Sequence, residues 1–93
     1  MKTAARHVIV HGRVQGVGFR YFVRRAGARL GLTGNVLNRS DGTVEITVEG
    51  DEDAIVQFLG QVSEGPPSSR IERLDTEEIT PSGSYRSFQI EGW

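Results

Sequence analysis

Cysteine is absent from the 93-residue chain, which removes disulfides, thiolate zinc sites, iron–sulfur clusters and cysteine nucleophiles together. Stability has to come from packing. Long apolar runs are absent too, and nothing approaches the roughly 18 residues that a membrane span needs. The run Val8 to Val10, behind the charged start Lys2 to Arg6, is too short for a signal-peptide core. The chain therefore reads as cytoplasmic and without a membrane segment, and a monomer is expected. Its length gives a single domain, residues 1–93, with one core between a sheet and a helix layer.

Acidic residues are missing from the first third of the chain. Residues 1–30 hold seven of the eleven Lys and Arg and none of the twelve Asp and Glu, although the formal net charge is only −1. Such a segment suits nucleic acid, an anionic small molecule, or a solvated face that pairs with the acidic remainder. The motifs have to choose among these.

Ala5 to Val14 carries the β-branched run Val8-Ile9-Val10 and stops at Gly16 and Gly18, which predicts a strand. From Phe19 to Leu30, the apolar residues Phe19, Phe22, Val23, Ala26 and Leu30 recur at helical spacing, and Gly31 offers a C-terminal cap. Gly27 weakens that helix by roughly 1 kcal/mol relative to Ala. Thr33 to Asn38 and Thr43 to Glu49 flank the turn Arg39-Ser40-Asp41-Gly42 and form a hairpin. Its second arm alternates Val44, Ile46 and Val48 against Glu45, Thr47 and Glu49, giving one wet face. Asp51, Glu52 and Asp53 open a second helix, with Ile55, Phe58, Leu59 and Val62 on one stripe, ending before Gly65-Pro66-Pro67. Ile71 to Ile79 and Ser87 to Glu91 supply two more strands.

The order β-α-β-β-α-β plus a short β predicts an α+β, ferredoxin-like two-layer sandwich, an antiparallel sheet with two helices on one face. That architecture hosts enzymes, RNA-binding modules and metal carriers alike, so the site has to decide the function.

Gly12-Arg13-Val14-Gln15-Gly16-Val17-Gly18-Phe19-Arg20 runs from a strand into the first turn of a helix. Its glycines permit positive φ, so backbone N–H groups can converge on an anion at the positive end of the helix dipole. Arg20 adds a planar guanidinium suited to phosphate. Glycine spacing alone fits equally a tight turn whose arginine is merely solvated. The run lacks the Gly-Lys-Ser/Thr ending of a nucleotide P-loop and the dinucleotide fingerprint, which leaves a lone phosphate as the expected anion.

These residues resemble the acylphosphatase signature, a glycine-rich loop that binds phosphate and ends on a catalytic arginine, here Arg20. The second family motif, Gly-x-Val-x-Asn, is matched by Gly34-Asn35-Val36-Leu37-Asn38, and its catalytic asparagine falls on Asn38. The resemblance continues through Ser40-Asp41-Gly42-Thr43-Val44, Pro66-Pro67-Ser68-Ser69-Arg70-Ile71 and Phe88-Gln89-Ile90. It implies hydrolysis of acyl phosphates with no cofactor and no metal, catalysis by Arg20 and Asn38, and phosphate held by Gln15, Gly16, Val17, Gly18, Phe19 and Arg20. Inorganic phosphate is then a competing ligand, and neither nucleic acid nor membrane is a partner. Asn35, where many members carry an aromatic residue, and the ending Glu91-Gly92-Trp93 depart from the family pattern and bear on rim shape and substrate preference.

Such a substrate needs little from the protein. Its leaving group is a carboxylate, the base of an acid with pKa near 4 to 5 by analogy with side-chain carboxyls, and departs without a proton donor. Positioning and charge stabilisation remain, together with a carboxamide to hold the attacking water. His7 and His11, about 13 Å apart on a strand, cannot share one metal ion. Ser68 and Ser69 lack the partners of a nucleophile, and Asp51 to Asp53 have an ordinary electrostatic role at a helix start. Arg24, Arg25 and Arg29 either solvate the first helix or extend its positive field.

Overall fold

The computed structural model describes residues 2–92, so Trp93 of the Glu91-Gly92-Trp93 ending lies outside the described residues. The elements are β1 (Thr3–Arg13), α1 (Phe19–Arg29), β2 (Thr33–Asn38), β3 (Val44–Asp51), α2 (Glu52–Glu64), β4 (Arg70–Ile79) and β5 (Phe88–Ile90). The order and type of every element follow the sequence expectation. Ends move by at most two residues: β3 runs on to Asp51, whose carboxylate then caps α2 by accepting from the Ala54 N–H at 3.3 Å.

Alternation along the strands decides which face is covered. Val8 and Val10 of β1, Val36 of β2, and Val44, Ile46 and Val48 of β3 are each 0% exposed, and together they form one face of the sheet. Against it α1 presents Phe19, Val23 and Ala26, and α2 presents Ile55, Phe58 and Val62, all buried in the same cluster. The other face carries His7, Ile9, Asn35, Leu37, Glu45 and Thr47, which are half-buried. On that face His7 Nε2 lies 2.5 Å from Glu45 Oε2, and His11 Nε2 lies 2.8 Å from Asp75 Oδ2. The two histidines thus serve separate carboxylates on the surface of the sheet.

Glu49 departs from the wet-face expectation. It points to the same side as Glu45 but is buried beneath the segment after β4 and holds Ser82 and Gly83.

The strand order is β4-β1-β3-β2-β5. The first four strands in that order pair antiparallel, whereas β5 joins β2 in parallel, Gly34 opposite Phe88 and Val36 opposite Ile90. The sheet is therefore mixed rather than wholly antiparallel. β4 occupies the free side of β1 and finishes at the end of the sheet where β2 begins. A chain crossing there meets the open edge of β2 at its start and can only run alongside it.

Helix α1 ends as a Schellman motif: the Leu32 N–H bonds the Gly27 carbonyl at 2.9 Å, and the Gly31 N–H bonds the Ala28 carbonyl at 3.1 Å. Gly31 has φ +72°, the left-handed conformation that glycine adopts without penalty. This fixes where β2 starts and hence where Asn38 falls.

Candidate active site

β1, β2 and β5 all run toward the same end of the sheet, so three chain ends meet there: the loop after β1, Asn38 at the end of β2, and Glu91 just after β5. The loop closes over the start of α1, with Gly16 at φ +74° and Gly18, the N-cap residue, at φ +76°. No capping side chain satisfies the first N–H groups of the helix. They remain available to an anion, favoured further by the helix dipole.

Each residue of the run has a distinct place. Phe19 is 1% exposed, so its ring belongs to the core and only its backbone faces the loop. Val17 packs against the core, and its carbonyl accepts from the Ser68 hydroxyl at 3.1 Å. Ser68 is thereby a brace on the loop. Gln15 turns its carboxamide away from the cradle and donates to the carbonyls of Arg39 at 2.7 Å and Thr43 at 2.9 Å.

Arg20 lies in the first turn of α1. Its Nη1 is 3.4 Å from the Glu91 carbonyl oxygen, and among the described residues no carboxylate oxygen lies within ion-pair reach of it. The other basic residues near the N-terminus behave differently: Lys2 and Arg6 pair with Glu52 at 3.6 and 3.9 Å, and Arg6 also reaches Glu78 at 3.2 Å. Arg24, Arg25 and Arg29 are exposed along α1.

Asn38 lies on the helix-side face of the sheet, in line with Val36, and its Oδ1, like that of Asn35, is buried with no hydrogen-bond partner among the described residues. A cavity of about 230 Å³ brings it together with Gly16, Gly18, Arg20 and Tyr21. Asn38 also lines a second cavity of about 370 Å³, with Gln15, Leu37, Arg39, Ser40, Glu91 and Gly92. Asn38 therefore lines both the cavity that holds Arg20 and a larger one beside it. An orphaned buried acceptor costs about 1 to 3 kcal/mol, so Asn38 Oδ1 invites a donor.

The turn after Asn38 is held by its own bonds. Thr43 donates to Asp41 Oδ1 from its hydroxyl at 2.6 Å and its N–H at 3.0 Å. These two bonds, the hydroxyl first, hold the Asp41 carboxyl below its ordinary range. Sequence reading assigned no role to Thr43, Ser68 or the Glu91 carbonyl, because their partners are 24 or more residues away or within the turn itself. Asn35, a departure from the family pattern, donates to the Glu91 carboxylate and helps fix that last segment, together with the Glu91 N–H on the Val36 carbonyl at 2.9 Å.

Comparison with known proteins identifies the family. The sequence pattern of the acylphosphatase family matches residues 6–90. An acylphosphatase from Thermotoga petrophila is 50% identical over 82 residues, covering 88% of this chain and 90% of its own. The crystal structure of acylphosphatase from Bacillus subtilis superposes with a TM-score of 0.92 at 40% identity, over 96% of this chain and 99% of that one. The fold also recurs inside a larger protein: HypF of T. kodakarensis matches 96% of this chain with 12% of its own, at 41% identity and a TM-score of 0.84. Likeness of this extent, in sequence and in structure, carries one conclusion: the chain belongs to the acylphosphatase family of hydrolases.

Proposed function

We propose that the chain hydrolyses acyl phosphates by in-line attack of water at phosphorus, with the phosphoryl group held by the 15–20 loop and Arg20 and the water oriented by Asn38. The observation that carries this reading is the buried Oδ1 of Asn38, without a hydrogen-bond partner among the described residues, in the same cavity as Arg20 and the two left-handed glycines. A carboxamide oxygen accepts a hydrogen bond from water without adding negative charge beside an anionic substrate. In this reading water approaches Asn38 through the larger cavity that it also lines, and the acyl group leaves on the side of phosphorus opposite that water.

The bonds balance simply. The water oxygen forms a bond to phosphorus as the bond from phosphorus to the acyl oxygen breaks, and the electron pair departs on a carboxylate. The proton of the water passes to a phosphoryl oxygen, so the protein needs no general base. Amides at the start of α1 and the Arg20 guanidinium stabilise charge on the equatorial oxygens, which is the main demand of phosphoryl transfer. This route uses no metal and no covalent enzyme intermediate, and inorganic phosphate competes for the cradle.

The test is hydrolysis of benzoyl phosphate by purified protein in excess chelator, with circular dichroism as the folding control. Arg20→Ala is expected to lose roughly 100-fold to 1000-fold in kcat, as expected for a lost charge-stabilising donor. Asn38→Ala is expected to lose turnover while its inhibition constant for phosphate stays near that of the parent. Near-native turnover in folded Arg20→Ala sinks the assignment, and turnover abolished by chelator sinks the metal-free route.

A further inference from the structure

We infer that Gln15 is a positioning residue: its carboxamide fixes the distance between the phosphate cradle and Asn38. The inference rests on the reaction proposed above and assigns the Gln15 side chain to Asn38, leaving its backbone amide to the phosphate loop.

The geometry is fully used. A carboxamide nitrogen has two protons, and Gln15 Nε2 has two acceptors, the Arg39 carbonyl at 2.7 Å and the Thr43 carbonyl at 2.9 Å. These carbonyls belong to the two sides of the turn that follows Asn38. The Thr43 carbonyl also accepts from the Arg39 N–H at 2.9 Å, and the Arg39 carbonyl from the Gly42 N–H at 3.2 Å. The Arg39 nitrogen is one peptide bond from Asn38, so the Gln15 side chain reaches the water-orienting residue through a single shared carbonyl.

Nothing else in the described residues spans this gap so directly. β1 and β2 are not neighbours in the sheet, since β3 lies between them. The loop after β1 and the end of β2 thus share no ladder hydrogen bond. Ser68 braces the loop from the side of β4, and Arg20 touches the segment after β5, but neither touches the turn that carries Asn38. Remote misplacement of a reacting group by about 1 Å can cost on the order of 100-fold in rate. A bridge of two short hydrogen bonds, in a half-buried residue, limits such drift.

The conservative variant is Gln15→Met, which keeps length and apolar volume but cannot donate. Its kcat on benzoyl phosphate is expected to fall roughly 10-fold to 100-fold, with the phosphate inhibition constant unchanged within about threefold, because the loop amides stay in place. Gln15→Glu provides a second readout. Its carboxylate repels both carbonyls at neutral pH, whereas the protonated acid donates one hydrogen bond. The ratio of its kcat to that of the parent is expected to rise as pH falls below about 5.

The deciding measurement is the double variant Gln15→Met/Asn38→Ala. Where Gln15 acts through Asn38, adding Gln15→Met to Asn38→Ala costs less than about threefold more in kcat, well short of the product of the single losses. Multiplicative losses overturn the inference, as does a phosphate inhibition constant that worsens in step with kcat. Native kcat in folded Gln15→Met overturns it as well. A full-activity Asn38→Ala protein sinks the mechanism itself, and that result is read from a different variant.

Discussion

Glu49 grips Ser82 twice: its Oε2 accepts from the Ser82 N–H at 2.9 Å and from the Ser82 hydroxyl at 2.8 Å, while Oε1 accepts from the Gly83 N–H at 3.0 Å. The residue is only 6% exposed. Through it the central strand β3 holds the segment that crosses from β4 to β5, and so the strand that leads to Glu91 beside Arg20.

Burial is the largest influence on the Glu49 carboxyl and pushes its pKa up, but the three donors from Ser82 and Gly83 together bring it below the ordinary value of 4.5. A depressed folded-state pKa means that the carboxylate contributes stability above the unfolded value. That contribution is lost as pH falls through the lower folded one. Glu49→Gln is expected to cost about 1 to 3 kcal/mol at pH 7, the range for disturbing a buried charged hydrogen-bond network. Urea unfolding from pH 7 down to pH 3 checks this: the gap between parent and variant is expected to close at the acid end. A constant gap contradicts the assignment.

Gly18 is exposed, at φ +76°, and a Cβ built on it meets nothing within 4 Å. Its demand is conformational rather than spatial. Gly18→Ala is therefore expected to destabilise the cradle by roughly 1 to 2 kcal/mol, the cost of left-handed backbone for an L-residue. The mirror residue separates the two causes. A chain assembled by ligation with D-alanine at position 18 is expected to recover phosphate affinity, which L-alanine does not. Equal weakening by both means that space was limiting.

How much was legible beforehand follows the range of the interactions. Local patterns placed α1, its stop at Gly31 and the hairpin from Thr33 to Glu49, because periodicity and capping act within a few residues. Asn38 was singled out by a short motif, and it lines one cavity with Arg20. The parallel pairing of β5 was not, because three residues carry no direction of their own and the open edge is known only once β4 has docked beside β1. The two hydrogen bonds of Gln15 cross 24 and 28 residues, and that from Ser68 to Val17 crosses 51. The sequence around a glutamine in a glycine-rich loop gives no sign of side-chain partners that far away. Glu49 shows the same limit: alternation put it on the wet face, and a distant loop buried it.

Gly27 sets two opposite tendencies against each other, and the structure decides the sign. In the middle of α1, alanine is favoured over glycine by about 1 kcal/mol, so helix propensity alone makes Gly27→Ala stabilising. A Cβ at that position, however, falls 2.4 Å from Phe88 Cδ2 and 2.7 Å from Phe88 Cε2. The Phe88 ring is 6% exposed and packs on Phe58 with centroids 5.6 Å apart, so moving it disturbs the core on that side. Overpacking of a full core costs typically 1 to 3 kcal/mol, which exceeds the propensity gain. Gly27→Ala is expected to be net destabilising by up to about 2 kcal/mol, and thermal unfolding measures it. The displaced ring starts β5, which ends one residue before Glu91, so a secondary loss of turnover is expected. Adding Phe88→Leu to Gly27→Ala relieves the clash and is expected to be less destabilising than the sum of the single changes. A stabilised Gly27→Ala protein refutes the close approach of α1 to β5.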